Sequence, residues 1–120
     1  PCLAISAKPT DYGQPEDFGK TPEGQKLIKG VREKFIDETL RKYLERLTGM
    51  MESHGGKFLV AGETPSIADC LAIPLLRGYT RGFIDYVEPS CLDKYPKIVA
   101  YIKNFCALEQ IKGRYDNGIH

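Results

Sequence analysis

Ser66 and Asp69 are the residues whose types and spacing first suggest chemistry, because a hydroxyl and a carboxylate are common parts of nucleophilic catalysis. A serine nucleophile also needs a base, and neither His54 nor His120 is near the pair in sequence. The spacing instead matches a capping box, in which a serine and an acid three residues later satisfy backbone N–H groups at a helix start. We therefore predict that Ser66 and Asp69 form a structural cap and not a catalytic pair.

The four cysteines could bind a metal, form disulfides or act as a redox centre. They are Cys2, Cys70, Cys91 and Cys106, far apart in sequence, with no Cys-x-x-Cys pair and no histidine nearby. The sequence therefore predicts neither a metal site nor a redox dithiol. Two disulfides in a secreted protein are the alternative, but 120 residues that are 42% hydrophobic can build a core without cross-links. We expect reduced, mostly buried thiols and a cytoplasmic protein.

The charge and hydropathy of the chain bear on whether it binds nucleic acid or a membrane. The chain has 17 Lys and Arg against 16 Asp and Glu, a formal net charge of +1, so its overall field would not recruit nucleic acid or anionic lipid. No apolar run approaches the roughly 20 residues of a membrane span. The sequence predicts neither a nucleic-acid nor a membrane partner.

One long amphipathic helix is predicted over about residues 25–54. Thr21 and Pro22 have the types of an N-cap and a first helical residue, and Gly55-Gly56 supplies a stop after His54. Gly30 is the point at which this helix could bend. The apolar residues at spacings of three and four are Leu27, Ile28, Val31, Phe35, Leu40, Tyr43, Leu44, Leu47, Met50 and Met51.

The remaining segments predict further helices joined by loops. Residues 8–24 contain prolines and glycines throughout and predict a long loop. Residues 58–61 predict a buried loop crossing, with a short strand as the alternative, and residues 67–76 are apolar on almost every side and predict a central helix. Residues 95–105 predict another helix, and residues 107–111 a final turn. The fold class is therefore all-α, a helical bundle of about four helices without a sheet.

The segment Lys57-Phe58-Leu59-Val60-Ala61-Gly62-Glu63-Thr64-Pro65-Ser66-Ile67-Ala68-Asp69 resembles a segment of the glutathione transferases, in which a Gly-Lys-Phe/Tyr-Leu-Val-Gly run leads into a capped sixth helix. Residues 35–45 are similar to the fifth helix of this family, especially in the sigma class and related classes. Residues 95–101 resemble the seventh helix, and residues 108–115 the eighth. The resemblance covers about residues 25–115 in the order of the family's C-terminal domain.

This resemblance implies a division of the chain and a missing half. Residues 25–120 would form the all-helical C-terminal domain of the glutathione transferase type, and residues 1–24 would be the remnant of the preceding helix plus a loop. The thioredoxin-like N-terminal domain, which binds glutathione and carries the residue that activates its thiol, is not in these 120 residues. The chain alone is expected to be inactive and to bind no cofactor, with glutathione entering as co-substrate through the other domain.

The resemblance also implies a function. The domain would form part of the electrophile pocket and the dimer interface of a homodimeric enzyme that conjugates glutathione to hydrophobic electrophiles. By position in the family, the pocket candidates are Cys2, Leu3, Tyr115 and Ile119.

Two alternatives stay open at this point. Similar helical domains serve as non-catalytic interaction modules in translation elongation factors and aminoacyl-tRNA synthetase complexes, and a free-standing helical scaffold is the third reading. If the chain lacks its partner domain, the apolar stripe from Val31 through Tyr43 to Met50 is expected to be uncovered and to drive self-association.

Overall fold

A computed structural model describes residues 8–114 of the chain, and every regular element in that range is helical. The α-helices are α1 (Pro22–Lys34), α2 (Arg41–Ser53), α3 (Ile67–Thr80) and α4 (Pro96–Cys106). No strand occurs between residues 8 and 114, so residues 58–61 are the loop crossing and not the strand alternative. The predicted all-α class is confirmed.

The start of α1 follows from two local features. The Thr21 hydroxyl accepts a hydrogen bond from the backbone N–H of Gly24 at 3.0 Å, as the predicted cap requires. A Cβ atom on Gly24 would lie 1.8 Å from the carbonyl oxygen of Phe18, so only glycine lets the preceding segment approach α1 this closely. That preceding segment is not the uniform loop predicted for residues 8–24, because Pro9–Tyr12 and Glu16–Lys20 form short 3-10 helices.

A π-helical segment, Phe35–Leu40, joins α1 to α2 without a break. The long helix is thus confirmed, but its irregular point lies five residues beyond Gly30, where a bend was expected. The helix ends as predicted, since Gly55 and Gly56 have φ angles of 95° and 84° and the Gly56 N–H donates to the Met51 carbonyl at 2.6 Å. This bond is the six-to-one bond of a Schellman motif, which satisfies a carbonyl left open at the helix end.

The core is formed where α2, α3 and α4 face one another. Burying one large aliphatic or aromatic side chain stabilises a fold by about 1.5–3 kcal/mol, so these contacts hold the three helices together. On α2 and α4 the buried positions recur every three or four residues, as the sequence pattern predicts. The largest buried side chains are Leu40, Leu44, Phe58, Ile73, Leu76, Leu92, Ile98, Tyr101 and Ile102.

The two loops that follow α3 and α4 contain only short elements. Residues 81–95 hold one 3-10 helix, Pro89–Leu92, before α4 begins at Pro96 as expected. Beyond α4, residues 107–111 form turns, and the 3-10 helix Lys112–Arg114 comes after them. The final turn predicted over residues 107–111 is therefore present, and the short 3-10 helix after it was not predicted.

Candidate functional site

The Asp69 carboxylate is the centre of a buried hydrogen-bond network at the start of α3. Asp69 has no exposed surface, and its Oδ2 accepts from the Ser66 backbone N–H at 2.7 Å and from the Ser66 hydroxyl at 2.8 Å. Its Oδ1 accepts from the Leu59 backbone N–H at 2.9 Å and from the Tyr101 hydroxyl at 2.8 Å. Ser66 and Asp69 form a capping box, and the same carboxylate also ties α3 to the loop before it and to α4.

The network favours the ionised form of Asp69. Burial by itself raises the pKa of a carboxyl group, but the hydrogen bonds from Leu59, Ser66 and Tyr101 outweigh burial and leave the Asp69 pKa below its usual value. Burial and the bond to Asp69 raise the pKa of Tyr101, which stays a phenol that donates. All four donors point at one carboxylate, and none of its hydrogen-bond partners in the described part of the chain is a base, so the arrangement anchors a helix and does not activate the serine.

Helix α3 buries only one of its two faces. Ile67 and Leu71 are 80% and 72% exposed, although the sequence predicts a helix surrounded by the core. That prediction was wrong for this face because periodicity cannot show which sides of an apolar helix have partners. The exposed side, called here the open stripe, carries no charge and consists of Ile67, Cys70, Leu71, Pro74 and Leu75, with the half-buried Gly78 at its end.

The long helix does not carry the expected uncovered stripe. Val31 and Tyr43 are half-buried, and of the three positions named from the sequence only Met50 is exposed. The described part of the chain covers most of this surface itself. The exposed apolar surface therefore lies on α3, where a spacing of four residues places Ile67, Leu71 and Leu75 on one side.

The thiols differ in their surroundings. Cys106 is buried, as expected, and Cys91 is half-buried, whereas Cys70 lies exposed in the open stripe and corrects the expectation of a buried thiol there. Burial raises the pKa of both Cys91 and Cys106, so these thiols are protonated and poor nucleophiles near neutral pH. None of the three forms a disulfide with another cysteine of residues 8–114.

A second concave region lies between the first half of the long helix and the loop after α3. It is a cavity of about 670 Å³, called here the tyrosine cavity because Tyr86 and Tyr95 line it. Ile36 and Asp37 reach it from the π-helical segment, and Cys91 from the 3-10 helix of the loop. Tyr86 has a φ angle of 60°, in the left-handed region that residues other than glycine seldom adopt. No motif in the sequence indicates this cavity, since it combines residues about fifty positions apart.

The pocket candidates named from the family, Cys2, Leu3, Tyr115 and Ile119, lie outside the described residues. Within residues 8–114, no three His, Cys, Asp or Glu side chains are grouped so that they could hold a metal ion. No helix of that range is long and apolar enough to cross a membrane.

The fold and the anchored helix α3 define a class of protein, an all-helical domain whose central helix is capped by a buried carboxylate and open along one apolar side. The family model for the C-terminal domain of glutathione S-transferase matches residues 18–115. Because this match covers most of the chain, the chain belongs to that family, and the resemblance seen in residues 57–69 is confirmed. No solved structure matches the chain.

Proposed function

We propose that this chain is the domain of a glutathione transferase that lines the electrophile pocket and takes part in a dimer interface, in an enzyme that conjugates glutathione to hydrophobic electrophiles. Glutathione is the co-substrate and is held by a thioredoxin-like domain, which these 120 residues do not include. The observation that carries the proposal is the open stripe of α3 in a chain of this family.

The open stripe has the chemistry of a pocket wall. It is apolar along its length, and contiguous exposed apolar surface of this kind marks sites of ligand or protein contact. The Asp69 network fixes the first turn of α3 to a loop and to α4, so the stripe is presented by a rigid helix. Rigid support of this kind is what a binding surface needs in order to hold a ligand in one geometry.

In the proposed reaction, the thioredoxin-like domain activates the glutathione thiol and this domain binds the electrophile. The glutathione thiolate forms a bond to an electrophilic carbon, and the electron pair of the broken bond departs with the leaving group. A hydrogen-bond donor of the thioredoxin-like domain lowers the thiol pKa, which raises the fraction of the nucleophilic thiolate. The open stripe binds the apolar part of the electrophile and keeps water from it, through Ile67, Leu71 and Leu75.

A conjugation assay with glutathione and 1-chloro-2,4-dinitrobenzene tests the proposal. The 120-residue chain alone is expected to show no turnover above the uncatalysed rate. Fused behind the thioredoxin-like domain of an active glutathione transferase, it is expected to restore turnover. In the fusion, Leu71→Glu should lower kcat/KM about tenfold, since it replaces apolar contact worth about 1.5 kcal/mol or more. Met50→Glu changes an exposed apolar residue of α2, outside the stripe, and is the matched control.

Two results would contradict the proposal. Turnover by the chain alone would place the chemistry in this domain. A folded fusion that binds glutathione and does not turn over would favour the non-catalytic interaction module instead. The dimer is tested separately by analytical ultracentrifugation of the fusion protein. A fusion that stays monomeric at a protein concentration of tens of micromolar would contradict the proposed dimer interface.

A further inference from the structure

We propose that the tyrosine cavity is a second binding site, distinct from the open stripe, and that it takes a small organic cation with an aromatic or aliphatic body. Its volume of about 670 Å³ lies within the roughly 300–1,000 Å³ of small-molecule sites. None of the residues of the open stripe lines it. The proposal therefore stands whether or not the domain serves a transferase.

The apolar part of the cavity suits a flat or aliphatic body. Tyr95 is half-buried, and Tyr86 is 44% exposed, so both rings have surface available to a ligand, and Ile36 adds an aliphatic contact. Tyrosine rings attract cations through their negative faces. An aromatic and aliphatic lining of this kind with a few charged groups is typical of sites that orient a small ligand.

Two of the cations that line the cavity already have partners. The Lys29 Nζ lies 3.8 Å from the Glu33 Oε1, and the Arg41 Nη1 lies 3.1 Å from the Glu45 Oε1. The Arg41 Nε also donates to the Asp37 carbonyl at 2.9 Å, which holds the guanidinium along its own helix. These pairs leave little positive charge to attract an anion.

The uncommitted charges of the cavity are mainly negative. In the part of the chain that the structure describes, the side chains of Asp37, Glu88 and Lys94 line the cavity and form no salt bridge. Three cations and three carboxylates line the cavity, but the Arg41 charge is directed to Glu45, which lies outside the lining, so the carboxylates that remain exceed the remaining cations by one beside two tyrosine rings. A cationic ligand gains from both, whereas an anion would meet the two carboxylates.

The shape of the cavity depends on backbone conformation as well as on side chains. The π-helical turn widens the long helix where Ile36 and Asp37 point into the cavity, and such turns are frequent at functional sites. Tyr86 is held at a φ of 60°, a conformation that persists only where the surrounding structure imposes it. The Cys91 thiol in the wall is protonated near neutral pH, because burial raises its pKa, so the site binds a ligand without attacking it.

Indole derivatives offer a direct test, because the chain contains no tryptophan and indole can be excited at the long-wavelength edge of its absorption, where tyrosine absorbs little. Tryptamine, tryptophan and indole-3-acetate share one aromatic body and carry positive, zwitterionic and negative charge. Fluorescence anisotropy of each is followed as the 120-residue chain is added. We expect saturable binding of tryptamine, weaker binding of tryptophan and the weakest binding of indole-3-acetate.

Three variants connect this binding to the cavity. Asp37→Asn and Glu88→Gln each remove one negative charge from an exposed side chain and should weaken tryptamine binding about threefold. Tyr86→Asn removes a ring, keeps a residue that tolerates the left-handed backbone, and should weaken binding about threefold. Glu38→Gln changes the exposed neighbour of Asp37, which does not line the cavity, and should leave binding unchanged.

Circular dichroism first confirms that every variant has the helicity and melting temperature of the parent chain. Equal affinity for the three indoles would show unspecific apolar uptake and overturn the proposal. Tighter binding of indole-3-acetate than of tryptamine would contradict the proposal that the ligand is a cation. Tryptamine binding that Asp37→Asn, Glu88→Gln and Tyr86→Asn all leave unchanged would place the ligand elsewhere, and an absence of saturable binding in the millimolar range would remove the site.

Discussion

Both faces of α3 carry large apolar side chains, but the two faces have opposite surroundings in the structure. One face holds Asp69, which accepts a hydrogen bond from Tyr101 of α4, together with Ile73 and Leu76 of the core cluster, and all three lack exposed surface. The other holds Ile67 and Leu71, which are mostly exposed. The buried face finds its partners within residues 8–114, and the open stripe does not.

This difference separates what the chain needs in order to fold from what it offers to something else. The buried face combines apolar packing with a carboxylate that accepts from four donors, so each polar group there is satisfied. The open stripe has no polar group to orient a partner and contributes apolar area alone. An unsatisfied apolar face on an anchored helix is a surface for a ligand or another domain.

The largest expected effect is at the anchor. Asp69→Ala should lower the free energy of unfolding by about 3 kcal/mol, because it leaves two buried donors, the Leu59 N–H and the Tyr101 hydroxyl, and the partly buried Ser66 N–H without their acceptor. Urea denaturation followed by circular dichroism measures the change. Glu38→Ala removes an exposed carboxylate and should cost less than about 0.5 kcal/mol. Equal midpoints for Asp69→Ala and the parent chain would show that the network does not stabilise the fold.

A matched pair of leucines tests the contrast between the faces of α3. Leu76→Ala, at a side chain with no exposure, should lower the free energy of unfolding by about 2–5 kcal/mol through lost contact and a cavity. Leu71→Ala makes the same chemical change at a position that is 72% exposed and should cost less than about 0.5 kcal/mol in the same denaturation experiment. If the two variants lost similar stability, the open stripe would be covered in solution, for example by a second copy of the chain.

Much of the fold could be predicted from local sequence. The cap at Thr21, the glycine stop at Gly55 and Gly56 and the start of α4 at Pro96 each depend on a few neighbouring residues with specific backbone preferences. The pairing of Ser66 with Asp69 belongs to the same group, because a cap is formed within one turn. Periodicity was sufficient for the long helix.

The features that the sequence did not predict depend on distant residues. The bond from Tyr101 to Asp69 joins positions 32 residues apart, and no local pattern distinguishes this tyrosine from other core aromatic residues. The π-helical turn has no composition of its own, so the irregularity was expected at Gly30 instead. The exposure of Ile67 and Leu71 depends on which elements pack nearby, which an apolar helix sequence does not specify.

The smallest expected effect concerns one hydrogen bond and its dependence on pH. Tyr101→Phe removes the hydroxyl that donates to Asp69 and should lower the free energy of unfolding by about 1–2 kcal/mol at pH 7. The Asp69 pKa is lowered in the folded chain, so its ionised form adds stability that is complete above the unfolded pKa, about 3.9, and is lost as pH falls through the folded pKa.

Because the Tyr101 hydroxyl is one of the donors that lower the Asp69 pKa, the variant should have a folded pKa closer to the unfolded value. The stability difference between parent and variant should therefore shrink as the pH falls below about 3.9, first through the folded pKa of the variant and then through the lower folded pKa of the parent. Urea denaturation of both chains at pH 7 and at pH 3 measures this difference. A difference of the same size at both values would mean that the Tyr101 hydroxyl stabilises the neutral and the ionised carboxyl equally, and that the anchor of α3 does not depend on the charge of Asp69.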